Sequence, residues 1–402
     1  MSPARCGVGC RLADQFTDLS PLVAQLAELG VRRIHSFAWR DLDDPEAGGS
    51  EVHADEIFRR WVAAGLVLAH RTSTFDQRRA FTRHGYGVTQ AGGRIGVLAR
   101  TPLHEILRGR RAADAVVDIW NGVPWWSPLW FRGPRITWLH HVHGPMWRQS
   151  FPAPAAAVGR AVEAQVASRV YRRETVVTLS ESSRAEIEHI GIRPDVIRVI
   201  EPGIADVFVP DPLRRSPTPL VVAVGRLAPV KRYLELLAAM AVARHDVPDL
   251  AVEIVGDGPD SAALHQWISA NAAAGWVTLR GRISDAEVVA AYQRAWLVAS
   301  ASVAEGWGMA LTEAAACGTP SIATDIAGHR DAVRAGVSGT LVAQPVDLAG
   351  AAVGLLRDPD ALHRLRLGAM QVAAELTWDR AALRHLRVLV DVAAHRHARG
   401  TD

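Results

Sequence analysis

Short apolar segments alternate with longer segments of 3.6-residue periodicity twice along this chain, and a proline-rich stretch separates the two runs. That alternation dictates parallel strands with helices on both faces of a sheet. In the first run the expected strands are "RRIHSFAW", "LVLAHRTS", "AVVDIWN", "RITWLHH" and "ETVVTLS". Between them "SEVHADEIFRRWVAAG" reads as a helix that opens on Ser50 and stops at Gly65, and in "SSRAEIEHIG" the Ser183 and Glu186 pair fits a capping box. The stretch 201–219, "EPGIADVFVPDPLRRSPTP", holds five prolines and little periodicity, so it reads as a linker. The second run gives the strands "LVVAVG", "AVEIVG", "WVTLRG", "WLVASAS", "PSIATD" and "GTLVA", then an amphipathic basic tail helix. The expected architecture is α/β: two doubly wound, Rossmann-like domains facing a central cleft, with ligands at the carboxyl ends of the strands. The boundaries read as an N-terminal extension at 1–31, a first domain at 32–202, a linker at 203–219, a second domain at 220–376 and a C-terminal helix at 377–402.

Composition excludes several classes. A net charge of +3 over 402 residues is too mild to imply nucleic acid. The three cysteines, Cys6, Cys10 and Cys317, cannot build a disulfide framework, and Cys6 and Cys10 lack two further ligands for zinc. No apolar run approaches the roughly 18 residues that span a bilayer, and the first 30 residues lack a signal-peptide pattern. A reducing cytoplasm is the expected setting.

Lys231 is the sole lysine in a chain with 45 lysines and arginines together. It follows the strand "LVVAV" and Arg226, near the start of a helix. Two cations beside a helix N-terminus make a phosphate site, and a compact ammonium suits a tight diphosphate pocket where a planar fork does not. Read alone, the position equally suits a solvated helix start. In "EGWGMALTEAAACGTP", Glu305 lies on a loop and Glu313 lies in the following helix, with Gly306 and Gly308 between them. A loop carboxylate accepts from sugar hydroxyls, the glycines let backbone approach a ligand, and a helix carboxylate holds a ribose diol. The plain alternative is a carboxylate complementing a helix dipole. Gly48 and Gly49 open a helix, which can be a tight turn or a backbone N–H offered to a diphosphate. His140, His141 and His143 lie where a strand runs out; with no paired acid or cysteine they argue against a metal. "EIVGDGPDSAAL" lacks the acidic residue on the next strand that a dinucleotide site needs, and "DLD" at 41–43 reads as a solvated loop.

Taken together, "AGGSE", "WLHHVHG", "VTLSESSR", "VGRLAPVKR", "VGDGP" and "EGWGMALTEAAACGTPSIA" resemble, in order, the retaining glycosyltransferases of family 4, which have the GT-B fold. The likeness runs from about Arg32 to the end. It implies a nucleotide-sugar donor, of GDP-mannose or UDP-hexose type, in the second domain and a saccharide, lipid or small-molecule acceptor mostly in the first. By that resemblance Arg226 and Lys231 neutralise the diphosphate in place of a metal, so no cofactor is expected. Glu305 faces the donor sugar and Glu313 the ribose. Gly306, Trp307, Gly308, Met309, Ala310 and Leu311 supply backbone donors, Gly49 contacts the diphosphate, and the backbone of Ile283 reads the base. His141 matches the histidine near the sugar ring, with a register uncertain by two positions; His143 and Trp147 are acceptor-side candidates. The tail helix is expected to pack back on the first domain. Six tryptophans between Trp120 and Trp147 read mostly as core, and with the basic tail they leave peripheral contact at the inner face of a plasma membrane open. "ASAS" and "EPGI" depart from the family's usual proline-serine and proline-asparagine-glycine. A nucleotide-sugar epimerase, a phosphorylase and a catalytically silent nucleotide-sugar or lipid binder are the competing readings.

Overall fold

The computed structural model describes residues 18–45, 47–108, 113–144, 147 and 152–400. Cys6 and Cys10 lie outside them. The chain forms two compact units, one from residues up to 119, 125–136 and 379 onward, the other from residues 120–124 and 137–378.

The first sheet is built from β1 (Arg33–Phe37), β2 (Val67–Thr72), β3 (Arg79–Arg83), β4 (Tyr86–Gln90), β5 (Ala115–Ile119), β6 (Arg135–Trp138), β7 (Val176–Thr178) and β8 (Ile197–Val199), in the order β3-β4-β2-β1-β5-β6-β7-β8. The central strands are parallel and largely buried because helices cover both faces; every residue of β5 is buried, Asp118 included. β3 runs antiparallel to β4, as a hairpin arm at the sheet edge. The second sheet is built from β9 (Leu220–Val224), β10 (Ala251–Val255), β11 (Val277–Leu279), β12 (Leu297–Ser300), β13 (Ser321–Thr324) and β14 (Gly339–Val342), in the order β11-β10-β9-β12-β13-β14. All its pairings are parallel. On one face Val221, Ala223, Leu237, Ile254 and Leu297 share a core; on the other Val222, Tyr292, Val298 and Ala323 do. Each fully buried aliphatic side chain of this kind contributes roughly 2 kcal/mol.

Within the first unit, the helix Trp378–Gly400 packs on the helix Gly49–Ala63. Trp61 Nε1 donates to the Ala382 carbonyl at 3.0 Å, and the buried rings of His53 and His385 meet edge-on at 5.0 Å. Trp120, Trp125 and Trp138 are fully buried, so the tryptophan cluster is chiefly core. Among the described residues no helix is long and apolar enough to cross a membrane.

Three local readings change. The hairpin β3–β4 and the short β8 were not anticipated. The helix Glu181–His189 starts earlier than the Ser183–Glu186 box implied: Ser180 is the cap, its hydroxyl accepting from the Ser183 N–H at 3.1 Å. The "DLD" loop is not simply solvated. Asp41 is buried and takes both guanidinium nitrogens of Arg83, at 2.9 and 2.8 Å, and the Gln90 amide at 2.7 Å. Burial would raise its pKa, but the bonds from Arg83, then His70 and the charge of Arg83, hold the carboxyl below its ordinary value.

Candidate active site

The second sheet reverses its strand order between β9 and β12, the switch point where open α/β sheets take ligands. Lys231 follows β9 and Glu305 follows β12. After Val224 the chain passes Gly225 and the exposed Arg226, makes a 3-10 turn at Pro229–Lys231, and enters the helix Tyr233–Asp246 through Arg232, which holds a left-handed φ of 51°. The Val303 N–H donates to the Val230 carbonyl at 2.9 Å and so ties the two loops together.

The Lys231 ammonium donates to Glu305 Oε1. Ser302 Oγ donates to the same oxygen at 2.8 Å. Burial would raise the Glu305 pKa, but the adjacent Lys231, then Ser302 and His329, hold the carboxyl below the usual carboxylate range.

His329 was not singled out by the sequence. It is fully buried, with Nδ1 2.7 Å from the Thr324 carbonyl, so that nitrogen carries the proton. Nε2 then accepts from Ser300 Oγ at 3.1 Å. Burial lowers its pKa, against the opposing pull of the Thr324 carbonyl and Glu305. Next to it, a Cβ on Gly328 would fall 2.3 Å from the Glu305 carbonyl oxygen, so the absence of a side chain there lets the Glu305 loop lie down. Gly256 acts likewise on the Lys231 side: with φ 137°, a Cβ there would fall 1.9 Å from the Gly225 carbonyl oxygen.

After Glu305, Trp307 is buried and Gly308 adopts φ 97°, capping the helix Met309–Ala316. Leu311 anchors this helix in the core beside Ala314, while Met309 and Ala310 lie in its first turn. The Leu311 N–H bonds the Gly308 carbonyl at 2.9 Å, while the first N–H groups of any helix lack a partner within it. Glu313 accepts from the Tyr292 hydroxyl at 3.2 Å, and burial pushes its carboxyl up to about 7. Ile283 sits against the same core, one residue before Ser284, which caps the helix Asp285–Arg294.

The histidine loop approaches Gly306. A Cβ on Gly306 would lie 3.5 Å from the His140 carbonyl oxygen and 3.8 Å from His141 Nδ1. His141 stacks on His143 at 4.9 Å. Glu163, another residue the sequence did not flag, organises this loop: it accepts from the His143 N–H at 2.9 Å, the Gly144 N–H at 3.0 Å and Trp147 Nε1 at 3.1 Å. The structure thus gathers Lys231, Glu305, Gly306 and His141, with Glu313 further along the helix that follows. Gly49 is the first residue of its helix in the first unit, behind Gly48, whose N–H donates to Glu51 Oε2 at 2.7 Å. Among the described residues no group of three or more histidines, cysteines or carboxylates is arranged to hold a metal.

Residues 47–207 match the family profile described as Glycosyltransferase Family 4, and residues 208–371 match Glycosyl transferases group 1. A D-inositol 3-phosphate glycosyltransferase of Salinispora tropica is 30% identical over 98% of this chain and 92% of its own length. One from Thermobispora bispora is 31% identical over 58% of this chain, a match that spans 60% of that relative. Among solved structures, sucrose-phosphate synthase of Thermosynechococcus elongatus superposes with a TM-score of 0.74 at 19% identity, over 92% of this chain and 100% of that one. The Anabaena protein HepE, in complex with UDP and glucose, gives 0.71 at 18% identity over 89% and 98%. These likenesses place the fold in the GT-B class.

Proposed function

This chain belongs to the family 4 glycosyltransferases, and from that premise we propose that it moves a sugar from a nucleotide-sugar to a hydroxyl acceptor with retained anomeric configuration. The observation that carries the proposal is the Lys231–Glu305 ion pair straddling the strand-order switch, at the foot of the helix Met309–Ala316.

In this reading Arg226, Lys231 and the helix N-terminus bind the diphosphate and stabilise the charge that grows on it as the glycosidic bond breaks. Fixed electrostatics of this kind are often the largest catalytic contribution. They supply the positive charge from side chains and backbone, so no metal cofactor enters the proposal. Glu305 Oε2 orients the donor sugar, His141 donates to the ring's far side, and Glu313 holds the ribose. Retention by two displacements needs a carboxylate beneath the anomeric carbon. Glu305 Oε1 is engaged by Lys231 and Ser302, so the reading favours same-face attack, with the leaving diphosphate taking the acceptor's proton. HepE, with UDP bound, makes a UDP-sugar the first donor to try, and the relatives make D-inositol 3-phosphate the first acceptor.

Thermal stabilisation by UDP, GDP and their sugars tests the donor site. One nucleotide-sugar is expected to raise the melting temperature of the wild type by mass action, and the rise should shrink in Lys231→Ala. A panel that shifts neither protein refutes the proposal.

Glu313 adds a pH signature. A diol prefers the ionised carboxylate, so nucleotide-sugar affinity should rise through the carboxyl's pKa of about 7 and be about ten-fold weaker one unit below it. Without ligand the sign reverses. A carboxyl raised on folding favours the folded state below its unfolded pKa, and that contribution is lost as pH rises through about 7. Titration calorimetry across pH 6–8 should show the affinity rise in wild type and a flat profile in Glu313→Gln.

A further inference from the structure

An open hollow lies in the first unit, at the carboxyl ends of β2 and β4 and under the helix Gly96–Arg108. Arg71, Arg78, Arg100 and His104 line it, with Thr72, Thr89 and Thr101. We propose that this hollow binds a phosphate group; none of its lining residues has a role in the sugar transfer proposed above.

The charge count carries the argument. Glu105 is the carboxylate behind the cluster, and it is already shared. Its Oε1 lies 2.7 Å from Arg71 Nε and 3.5 Å from His104 Nδ1, and its Oε2 lies 2.7 Å from His35 Nδ1. Arg78 and Arg100 are exposed and pair with no carboxylate among the described residues. Glu105 compensates Arg71, so the guanidinium groups of Arg78 and Arg100 are the two left at the hollow without an anion between them. Guanidinium forks match phosphate oxygens in pairs, and threonine hydroxyls add neutral donors at the rim. The end of the sheet is also the right one, since parallel sheets take ligands beyond the carboxyl ends of their strands.

The phosphate has two chemical sources. One is a soluble phosphate ester. The other is an anionic lipid headgroup, because the same helix and its entry expose Ile95, Leu103, Ile106 and Leu107, the last 77% accessible, beside Arg100. Apolar side chains next to a cationic pocket suit the boundary between headgroups and acyl chains.

The test titrates inorganic phosphate calorimetrically into the full chain with saturating UDP, which occupies the donor site. The comparison is the double variant Arg78→Gln/Arg100→Gln, with Arg100→Gln alone as a milder form. Loss of affinity by about ten-fold or more in the double variant is the expected result. Equal binding by wild type and double variant, or no binding by either, overturns the site. Co-sedimentation with phosphatidylcholine vesicles, with and without phosphatidylglycerol, separates the sources. Binding that needs phosphatidylglycerol and is lost in the double variant assigns a headgroup; phosphate binding without co-sedimentation assigns a soluble ester. UDP-induced stabilisation, expected to be equal in both proteins, checks folding. Its absence from both would refute the donor-site proposal while leaving the phosphate result standing.

Discussion

Lys231→Arg is expected to lose nearly as much activity as Lys231→Ala, about 10³-fold in kcat/KM, although it keeps the charge. That loss corresponds to about 4 kcal/mol of transition-state stabilisation, the range for removing a positioned charge from a developing anion. Packing is the reason. The Lys231 stem lies close to the strand end: a Cβ placed on Gly225 would sit 3.7 Å from Nζ and from Cε, and 3.0 Å from the buried Tyr233 hydroxyl. A broad planar guanidinium cannot occupy that slot and still reach Glu305. Stability against pH separates the two variants where activity does not. In the wild type the Glu305 pKa is depressed on folding. Its contribution is therefore present above the unfolded pKa, about 4.3, and lost as pH falls through the folded one. Lys231→Ala leaves burial unopposed by its strongest counterweight, so the folded pKa should rise above the unfolded one. The contribution then favours folding only at low pH and disappears as pH rises. Lys231→Arg keeps a positive charge nearby but loses the bond to Glu305, so its slope should fall between those of wild type and Lys231→Ala. Steady-state kinetics with melting curves from pH 4 to 8 check both halves. Retention of kcat/KM within a few-fold in Lys231→Arg would show that charge alone, not its shape, is what the site needs.

The sequence exposed the charged half of this site and hid the half that positions it. Lys231, Glu305 and Glu313 stood out because a lone lysine and two spaced carboxylates beside glycines are chemically conspicuous. Ser302 and His329 did not. Ser302 reads as one of several small residues running out of a strand. His329 is 24 positions from Glu305, and only the pairing of β12 with β13 brings its loop alongside. Glu163 was hidden for the same reason: its partners, His143, Gly144 and Trp147, come from a distant loop. In the fold, the apolar strands were legible because burial on both faces leaves an unbroken hydrophobic run. β3 was not, since a half-exposed edge strand of sequence "RAFTR" carries arginines where a central strand carries valine. Asp41 was misread because Arg83, which buries it, lies on that same unrecognised hairpin.

Gly328→Ala is expected to cost about 10²-fold in kcat while leaving nucleotide binding nearly intact. Gly328 does not sit in the left-handed region, so alanine fits its backbone, and the whole effect must come from where the new methyl falls. It falls 2.3 Å from the Glu305 carbonyl oxygen, 2.8 Å from the carbonyl carbon and 3.0 Å from Glu305 Cβ. Backbone cannot yield as a flexible side chain does, so the loop must lift. A shift on the order of 1 Å in a positioning group is enough for a hundred-fold loss. Overpacking should cost about 1–3 kcal/mol of stability, less than would unfold the domain. The groups proposed to hold the nucleotide are Glu313, in the helix Met309–Ala316, and Ile283, packed on the core before the helix Asp285–Arg294; they should keep their places. The split between a fallen kcat and an unchanged nucleotide affinity is thus the signature of a displaced Glu305 loop. Gly350→Ala is the control. It lies in the helix Leu348–Leu356, where a Cβ meets nothing within 4 Å, and should stabilise the chain by about 0.5–1 kcal/mol without touching kcat. If Gly328→Ala retains wild-type kcat, the loop tolerates the methyl, and the seating of Glu305 on Gly328 is not what sets the donor sugar's position. If nucleotide affinity falls in step with kcat, the substitution has disturbed the whole second sheet rather than this one contact.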